Sequence, residues 1–332
     1  MNRLRRFIGR FHCIEAHQSL VIDGLRRIDS PAGQRLTPWL LRYHRDLLRG
    51  VLDPDRRFRD YHNHVLHVSE GYWGGAPRVA HQWYDRLERE LSAERFRDVA
   101  HAAGVLCHYL IDVINPLHTV HSPYEAAVHF AFELSVQQSL PRIRQRVNEL
   151  GIRTPIQISS KPGWLGSLMM HAARLAHDRA GVLLSRYAFD VGLRKPSRAL
   201  DPTSIDLLAE LHELATTAIA VVLERAAEQF ERESGFPIPH CYWRWAWPTA
   251  IRRVPRSLVQ KARYAGGCRR QLCLMAQELD EHGVLKETLP AEVDIKQRVH
   301  AVYHSERRLA RGAIRATTRE AVSDQRSQRL AG

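Results

Sequence analysis

Long apolar runs are missing from this 332-residue chain, and so are paired cysteines, strand-like alternation and low-complexity tracts. No window approaches the roughly 18 to 20 uninterrupted apolar residues that span a bilayer. The longest apolar stretch, near Ala215 to Leu223, is short and contains threonines. No transmembrane segment is therefore expected. The five cysteines (Cys13, Cys107, Cys241, Cys268 and Cys273) are odd in number and form no CxxC pair. That usage argues against a disulfide framework and for a reducing compartment. Arg3, Arg5 and Arg6 look like the start of a signal peptide, but Arg10 breaks the following Phe7-Ile8-Gly9-Arg10-Phe11, which cannot serve as its apolar core. The expected location is cytoplasmic as written, and secreted or periplasmic if the start is mis-assigned.

Acidic residues are the minority, 36 Asp and Glu against 49 Lys and Arg, for a net charge of +13. The stretch 251–332 alone carries 17 Lys and Arg against 9 Asp and Glu, so most of the excess lies in the last quarter. A basic surface attracts the phosphates of nucleic acid or lipid headgroups; a solvated, Arg-rich helical tail is the plainer reading. The 44% hydrophobic content supports a real core, and 26% charged residues is ordinary for a folded chain.

Helical periodicity dominates, so the expected fold is all-α. Helices are expected at about Ile14 to Ile28, Thr37 to Gly50, Arg78 to Leu91 and Ala93 to Ile114. Between them, Val51 to Pro77 holds Gly71, Gly74, Gly75 and two prolines and reads as irregular. Ser122-Pro123-Tyr124-Glu125 supplies an N-cap, a first-turn proline and the third-position Glu of a capping box, opening a helix to about Leu140. Further helices are expected at about Trp164 to Leu193 and Pro202 to Ser234. The Pro- and Trp-rich run from Gly235 to Pro248 marks a boundary before a basic helical extension. Alternating Trp243, Trp245 and Trp247 suggest one apolar stripe anchoring that extension.

The chemistry concentrates in His108-Tyr-Leu-Ile-Asp112-Val-Ile-Asn-Pro-Leu-His118 and His129-Phe-Ala-Phe-Glu133. His108 and Asp112 are four positions apart and project from one helix face, as do His129 and Glu133. Pro116 ends the first helix and leaves His118 on a turn. Three imidazoles and two carboxylates can thus share one space, and both are ordinary zinc ligands. An unpaired aspartate among Val105, Leu106, Leu110 and Ile111 would be costly, and a bound cation removes that cost. Any one of these histidines is more simply a core or capping residue; the five-residue set favours metal.

The string HxxxDxxxxxH with its PLH ending, followed by HxxxE, resembles the core motif of the zinc-dependent phospholipase C family, a relative of the single-strand-specific zinc nucleases. The resemblance spans roughly Ile14 to Glu133. It implies an all-helical domain, expected over 1–235; the basic, mostly helical extension expected over 236–332 lies beyond what the resemblance covers. It also implies two or three Zn2+ ions. His108 and Asp112 would match ligands of a zinc pair bridged by Asp112, and His118, His129 and Glu133 those of the remaining zinc. Gly50-Val-Leu-Asp-Pro-Asp55 resembles an upstream segment of the family and makes Asp55 a ligand and general base. His64 is favoured as the next ligand, with His62 and His67 as alternatives, and His17 fits an early helical histidine. The family's N-terminal tryptophan, whose amine completes one site, has no counterpart here; His12 is one candidate substitute. His101 and His121 are candidate outer partners, and Tyr72-Trp73-Gly74-Gly75 a candidate cleft lining.

The implied activity is zinc-dependent phosphodiester hydrolysis, with a phospholipid at a membrane surface as one substrate class. The choline-binding aromatics of the family do not carry over, since Arg56 follows Asp55, and Arg56, Arg57 and Arg59 point instead to an anionic substrate. Two alternatives remain open from sequence: a single-strand nuclease that uses the basic tail to hold nucleic acid, and a non-catalytic zinc scaffold.

Overall fold

In the computed structural model, residues 1–291, 293, 295 and 298–305 are described. Among the described residues 77% are helical and none forms a strand, as the periodicity requires. The contacts divide it into Met1–Leu289 and Pro290–Gly332. In the second unit the described run 298–305 is helical; the end of the basic extension, 306–332, lies outside the described residues.

The first unit begins with α1 (Asn2–Phe11), which the periodicity did not single out, and α2 (Ala16–Gly24). The helix expected from Thr37 to Gly50 is instead two: α3 (Pro31–Arg42) and α4 (His44–Asp53), broken at Tyr43. Pro38 lies inside α3, whose start is set by Ser30 accepting from the Gly33 amide and by Pro31 in the first turn. Short turns fill 54–58, 61–63 and 68–70, the region expected to be irregular. Then come α5 (Ala76–Ser92), α6 (Phe96–Asp112), α7 (Pro123–Leu150), α8 (Trp164–Arg186) and α9 (Phe189–Arg194). α7 runs ten residues past the expected end, through Pro141.

The expected span Pro202 to Ser234 is α10, and every terminal signal is present. Asp201 accepts from the Ser204 amide at 2.8 Å, Pro202 occupies the first turn, and Gly235 takes the left-handed conformation at the end. This long helix packs on α2, α3, α5, α6, α7 and α8 and forms the middle of the core. The boundary expected at residue 235 falls at the cap of α10, and the contacts group the residues as far as Leu289 in one compact unit. α11 (Ala246–His282) packs against α1 and α9 through a stripe including Ala246, Ala250, Ser257, Cys268, Leu272 and Met275. The expected tryptophan stripe does not form, because 243–245 is a helical turn rather than an extended run. Trp247 packs on Phe7 with ring centroids 5.2 Å apart, whereas Trp245 is 65% exposed. No helix among the described residues is long and apolar enough to cross a membrane.

The contact that positions the site is the crossing of α4 and α6. A Cβ on Gly50 would lie 2.2 Å from the His101 carbonyl oxygen, and one on Gly104 2.2 Å from that of Leu47. Only glycine lets these two backbones approach so closely. Gly104→Ala should therefore lower stability by about 2 to 3 kcal/mol through overpacking against backbone that cannot yield. Gly181→Ala on α8, where nothing lies within 4 Å, should gain up to about 1 kcal/mol from helix propensity. Urea unfolding midpoints of the two variants check the contrast; equal midpoints would count against the close crossing.

Candidate metal centre

Each candidate ligand is delivered by a local feature. Glu15 caps α2 reciprocally with Gln18, whose side chain also donates to the Leu48 carbonyl at 2.8 Å. This fixes the first turn and aims His17 inward. Asp55 sits on the single wide turn 54–58 that continues α4 beyond Pro54. His64 follows the turn 61–63, against which the next loop closes: a Cβ on Gly74, at φ 138°, would meet the Val65 carbonyl oxygen at 1.8 Å. α6 carries His108 and Asp112. Asn115 caps the turn 116–118 that holds His118, and α7 supplies His129 and Glu133.

All eight side chains come together in the first unit. Three groups form, each with ligand atoms within 4.8 Å of one another: His17, His108 and Asp112; Asp55, His64 and His108; and His118, His129 and Glu133. Asp112 stands at the centre and is 1% exposed. Its Oδ2 lies 2.9 Å from His64 Nδ1 and 3.0 Å from His108 Nε2, and its Oδ1 3.0 Å from His17 Nε2. Asp55 Oδ1 lies 3.5 Å from His64 Nδ1 and 3.6 Å from His108 Nε2. In the third group Glu133 Oε1 is 3.2 Å from His118 Nε2 and 3.3 Å from His129 Nε2.

The outward-facing ring nitrogens decide what these contacts mean. His108 Nδ1 donates to the Val51 carbonyl at 2.8 Å and His118 Nδ1 to the His64 carbonyl at 2.8 Å. His129 Nδ1 faces the Glu125 carboxylate. A neutral ring with its proton on Nδ1 presents a bare lone pair at Nε2. The lone pairs of His118 and His129 converge on Glu133 Oε1, an arrangement that is repulsive unless a cation, either a proton or a metal, lies between, while His108 Nε2 faces His64 Nδ1 at 3.0 Å as well as Asp112 Oδ2. The Asp112 Oδ2 contacts also lack hydrogen-bond alignment despite their length. Ligand atoms this close together could share a metal ion as well as a proton.

The partners behind the rings follow the pattern of metal-ligating histidines, whose second nitrogen is held by a carboxylate or carbonyl. His64 Nε2 lies 3.4 Å from Asp60 Oδ1, and Asp60 in turn accepts from the Tyr109 hydroxyl and, at 2.7 Å, from Asn63. Asn115 donates to Glu133 Oε1 at 2.7 Å. The sequence reading missed Asp60, Tyr109 and Asn115 entirely. Glu125 carried a readable signal, lying one turn before His129 on the same face, yet was assigned to a capping box. Ser122 does accept from the Glu125 amide, but the Glu125 carboxylate faces His129 instead.

Compared with family models, curated proteins and solved structures, the chain matches none. The reading of the site therefore rests on its own geometry. Of the three upstream histidines, the structure brings only His64 into the cluster. His62 faces Asp60 and Arg78, and His67 stacks on His121 at 5.4 Å and lies 3.4 Å from Glu70. His12 is not near the cluster: its ring bonds Ser257 Oγ at 2.7 Å and the Ala250 carbonyl at 3.0 Å, fastening α11. His101 pairs with Asp53 at 2.7 Å rather than with a ligand. Cys107 and Cys13 are buried, and burial pushes each thiol up to about 12, so neither is a ready thiolate.

The electrostatics are those of a proton-holding cage when no metal is bound. Burial would lower the His64 ring, but Asp112 and Asp60 outweigh it and raise the ring to about 10. Burial opposes, and Asp112 drives, the upward shifts of His17 and His108. Burial raises Asp112 and Glu133, but the surrounding rings hold both well below the ordinary carboxylate range. In the metal-free protein the raised rings add stability that is full below the ordinary histidine pKa and is lost as pH rises through about 10 for His64. The depressed carboxylates add stability that is present above their ordinary range and lost as pH falls. A divalent metal must displace the ring protons, so its stabilisation grows with pH. The melting-temperature gap between zinc-loaded and chelated protein should widen from about pH 6 to about pH 9. A gap independent of pH would contradict metal binding by these rings.

Proposed function

We propose that the chain is a zinc-dependent phosphodiester hydrolase of the kind its sequence resembles. The observation that carries the proposal is the division of Asp112, one oxygen toward His64 and His108 and the other toward His17. That is the posture of a carboxylate shared between two cations.

The donor set of nitrogen and carboxylate oxygen suits Zn2+. Asp55, His64, His108 and Asp112 Oδ2 would hold one ion, and His118, His129 and Glu133 a second. A ring nitrogen has one lone pair, so His108 cannot serve two ions at once. A third position then has two donors from this chain, His17 Nε2 and Asp112 Oδ1, and should bind more weakly. Zinc ions in such sets, when bound, lower the pKa of water toward neutrality and withdraw charge from a phosphoryl oxygen.

The chain's own residues divide the remaining work. Asp112 is sealed from solvent, whereas the Asp55 side chain is 37% exposed and the Glu133 side chain 34%. Asp55 is the carboxylate placed to orient an incoming water and accept its proton. Around it Arg56, Arg57 and Arg59 are exposed and give the entrance a positive rim. Arg56 is tied to Glu15 and lies over the Tyr264 ring, 5.9 Å from its centroid, while the Tyr264 hydroxyl donates to Gln137. Burial beside Glu15 and Cys268 raises the Tyr264 hydroxyl, so it enters as a neutral donor. The rim favours an anionic phosphodiester over a choline-bearing one.

Three outcomes are expected. Asp112→Asn should lower bound zinc and abolish turnover of a generic aryl phosphodiester, whereas Asp55→Asn should cut kcat at least about a hundredfold while the His118–His129–Glu133 group keeps its zinc. Zinc content measured beside activity separates loss of metal from loss of the base; full zinc and full activity in both variants would end the proposal. Arg56→Ala should raise KM about tenfold with kcat little changed, the mark of an interaction made equally in ground and transition states. Comparing an inositol phospholipid, a choline phospholipid and single-stranded DNA as substrates then separates the phospholipase reading from the nuclease one. Stoichiometric zinc without cleavage of any of them would leave a scaffold.

A further inference from the structure

α11 has two faces, and only one is used by the fold. Its inner stripe packs on the helices of the first unit and carries Tyr264 toward Gln137. On the opposite side Ile251, Leu258 and Val259 are 57%, 48% and 50% exposed. These positions are seven and eight residues apart, so they fall on one side of the helix, with exposed Pro255 and Ala262 between them. Beside this apolar row runs a second exposed row, Arg252, Arg256, Arg263 and Arg270. At the start of the helix Tyr242 and Trp245 are 70% and 65% exposed and stack with centroids 6.1 Å apart. The charge is concentrated: Arg45, Arg252 and Arg256 crowd Arg253, while the nearby Asp46 is already shared by Arg49 and Arg97.

We infer that the outer face of α11, with Tyr242 and Trp245 at its head, docks on an anionic phospholipid surface. An apolar row flanked by arginines, with aromatic side chains that prefer the headgroup layer, is the composition of a helix lying in a membrane interface. Charge complementarity selects the partner. A two-fold contact with another copy of this chain would set one arginine row against another. Nucleic acid would satisfy the arginines and could stack on Tyr242 and Trp245, but it would leave the exposed isoleucine, leucine and valine beside the arginines unburied, whereas a lipid surface takes up all three kinds of side chain. The inference is independent of the hydrolase reading, since the outer face touches none of the candidate ligands.

The test uses the full chain and cosedimentation with vesicles of phosphatidylcholine alone or mixed with phosphatidylserine. Binding is expected only to the mixed vesicles, weakening as salt rises. Arg252→Ala with Arg256→Ala should reduce it roughly fivefold per arginine. Leu258→Gln with Val259→Gln should also reduce it severalfold, with helical content and zinc content unchanged because both side chains are exposed. Failure to bind mixed vesicles overturns the inference. So does binding that the Leu258 and Val259 changes leave intact, which would trace it to charge elsewhere. Tighter binding to a single-stranded oligonucleotide, lost in the arginine variant, would reassign the face to nucleic acid.

Discussion

A carboxylate sealed among imidazoles is the constraint on which the rest of this structure turns. Asp112 sits at the end of α6 with almost no exposure, and ionised carboxylates in such places are costly unless paired. Its partners come from α2, from the segment after α4 and from α6 itself, so no single element can meet the requirement. The helices must arrive together, and the α4–α6 crossing lets them. Gly50 and Gly104 remove the side chains that would hold those backbones apart, bringing the Val51 carbonyl within reach of His108.

From that centre the order spreads through hydrogen bonds rather than through apolar packing alone. The His118 ring is held by the His64 carbonyl, the His64 ring faces the Asp60 carboxylate 3.4 Å away, and Asp60 accepts from Tyr109, which stands beside His108 on α6. Backbone bonds from Leu66 to the His118 carbonyl and from Val68 to Thr119 tie the same two segments at their edges. The irregular stretch between α4 and α5 therefore keeps a definite shape without regular secondary structure. Its glycines act where backbones must touch, as at Gly74 against Val65.

How much of this could be read in advance depended on how local the cause was. α10 could be read to the residue because its cap, its first-turn proline and its terminal glycine are all local. α3 and α4 were merged because Tyr43 breaks the helix without a proline or glycine to announce it. The pairs His108–Asp112 and His129–Glu133 were legible as helical spacing, and His118 as the residue released by Pro116. The choice among His62, His64 and His67 was not, because a turn of 3-10 geometry rather than any period decides which ring points inward. Asp60, Tyr109 and Asn115 were invisible for a different reason: an outer hydrogen bond leaves no spacing rule, only a three-dimensional coincidence.

The exposure of the three central carboxylates separates roles that their chemistry alone would not. Asp112 is buried and touched from both sides, which suits a group whose position must not change. Asp55 and Glu133 are each about one-third exposed and so face the space that a substrate would enter. On the proposed reading, the rigid carboxylate organises charge while the open ones meet the reacting atoms. α11 then links the two halves of the argument physically. Its inner face brings Tyr264 beneath Arg56, and its outer face carries the apolar and arginine rows. A surface that engaged the outer rows would contact the same helix whose inner side carries Tyr264 beside Arg56.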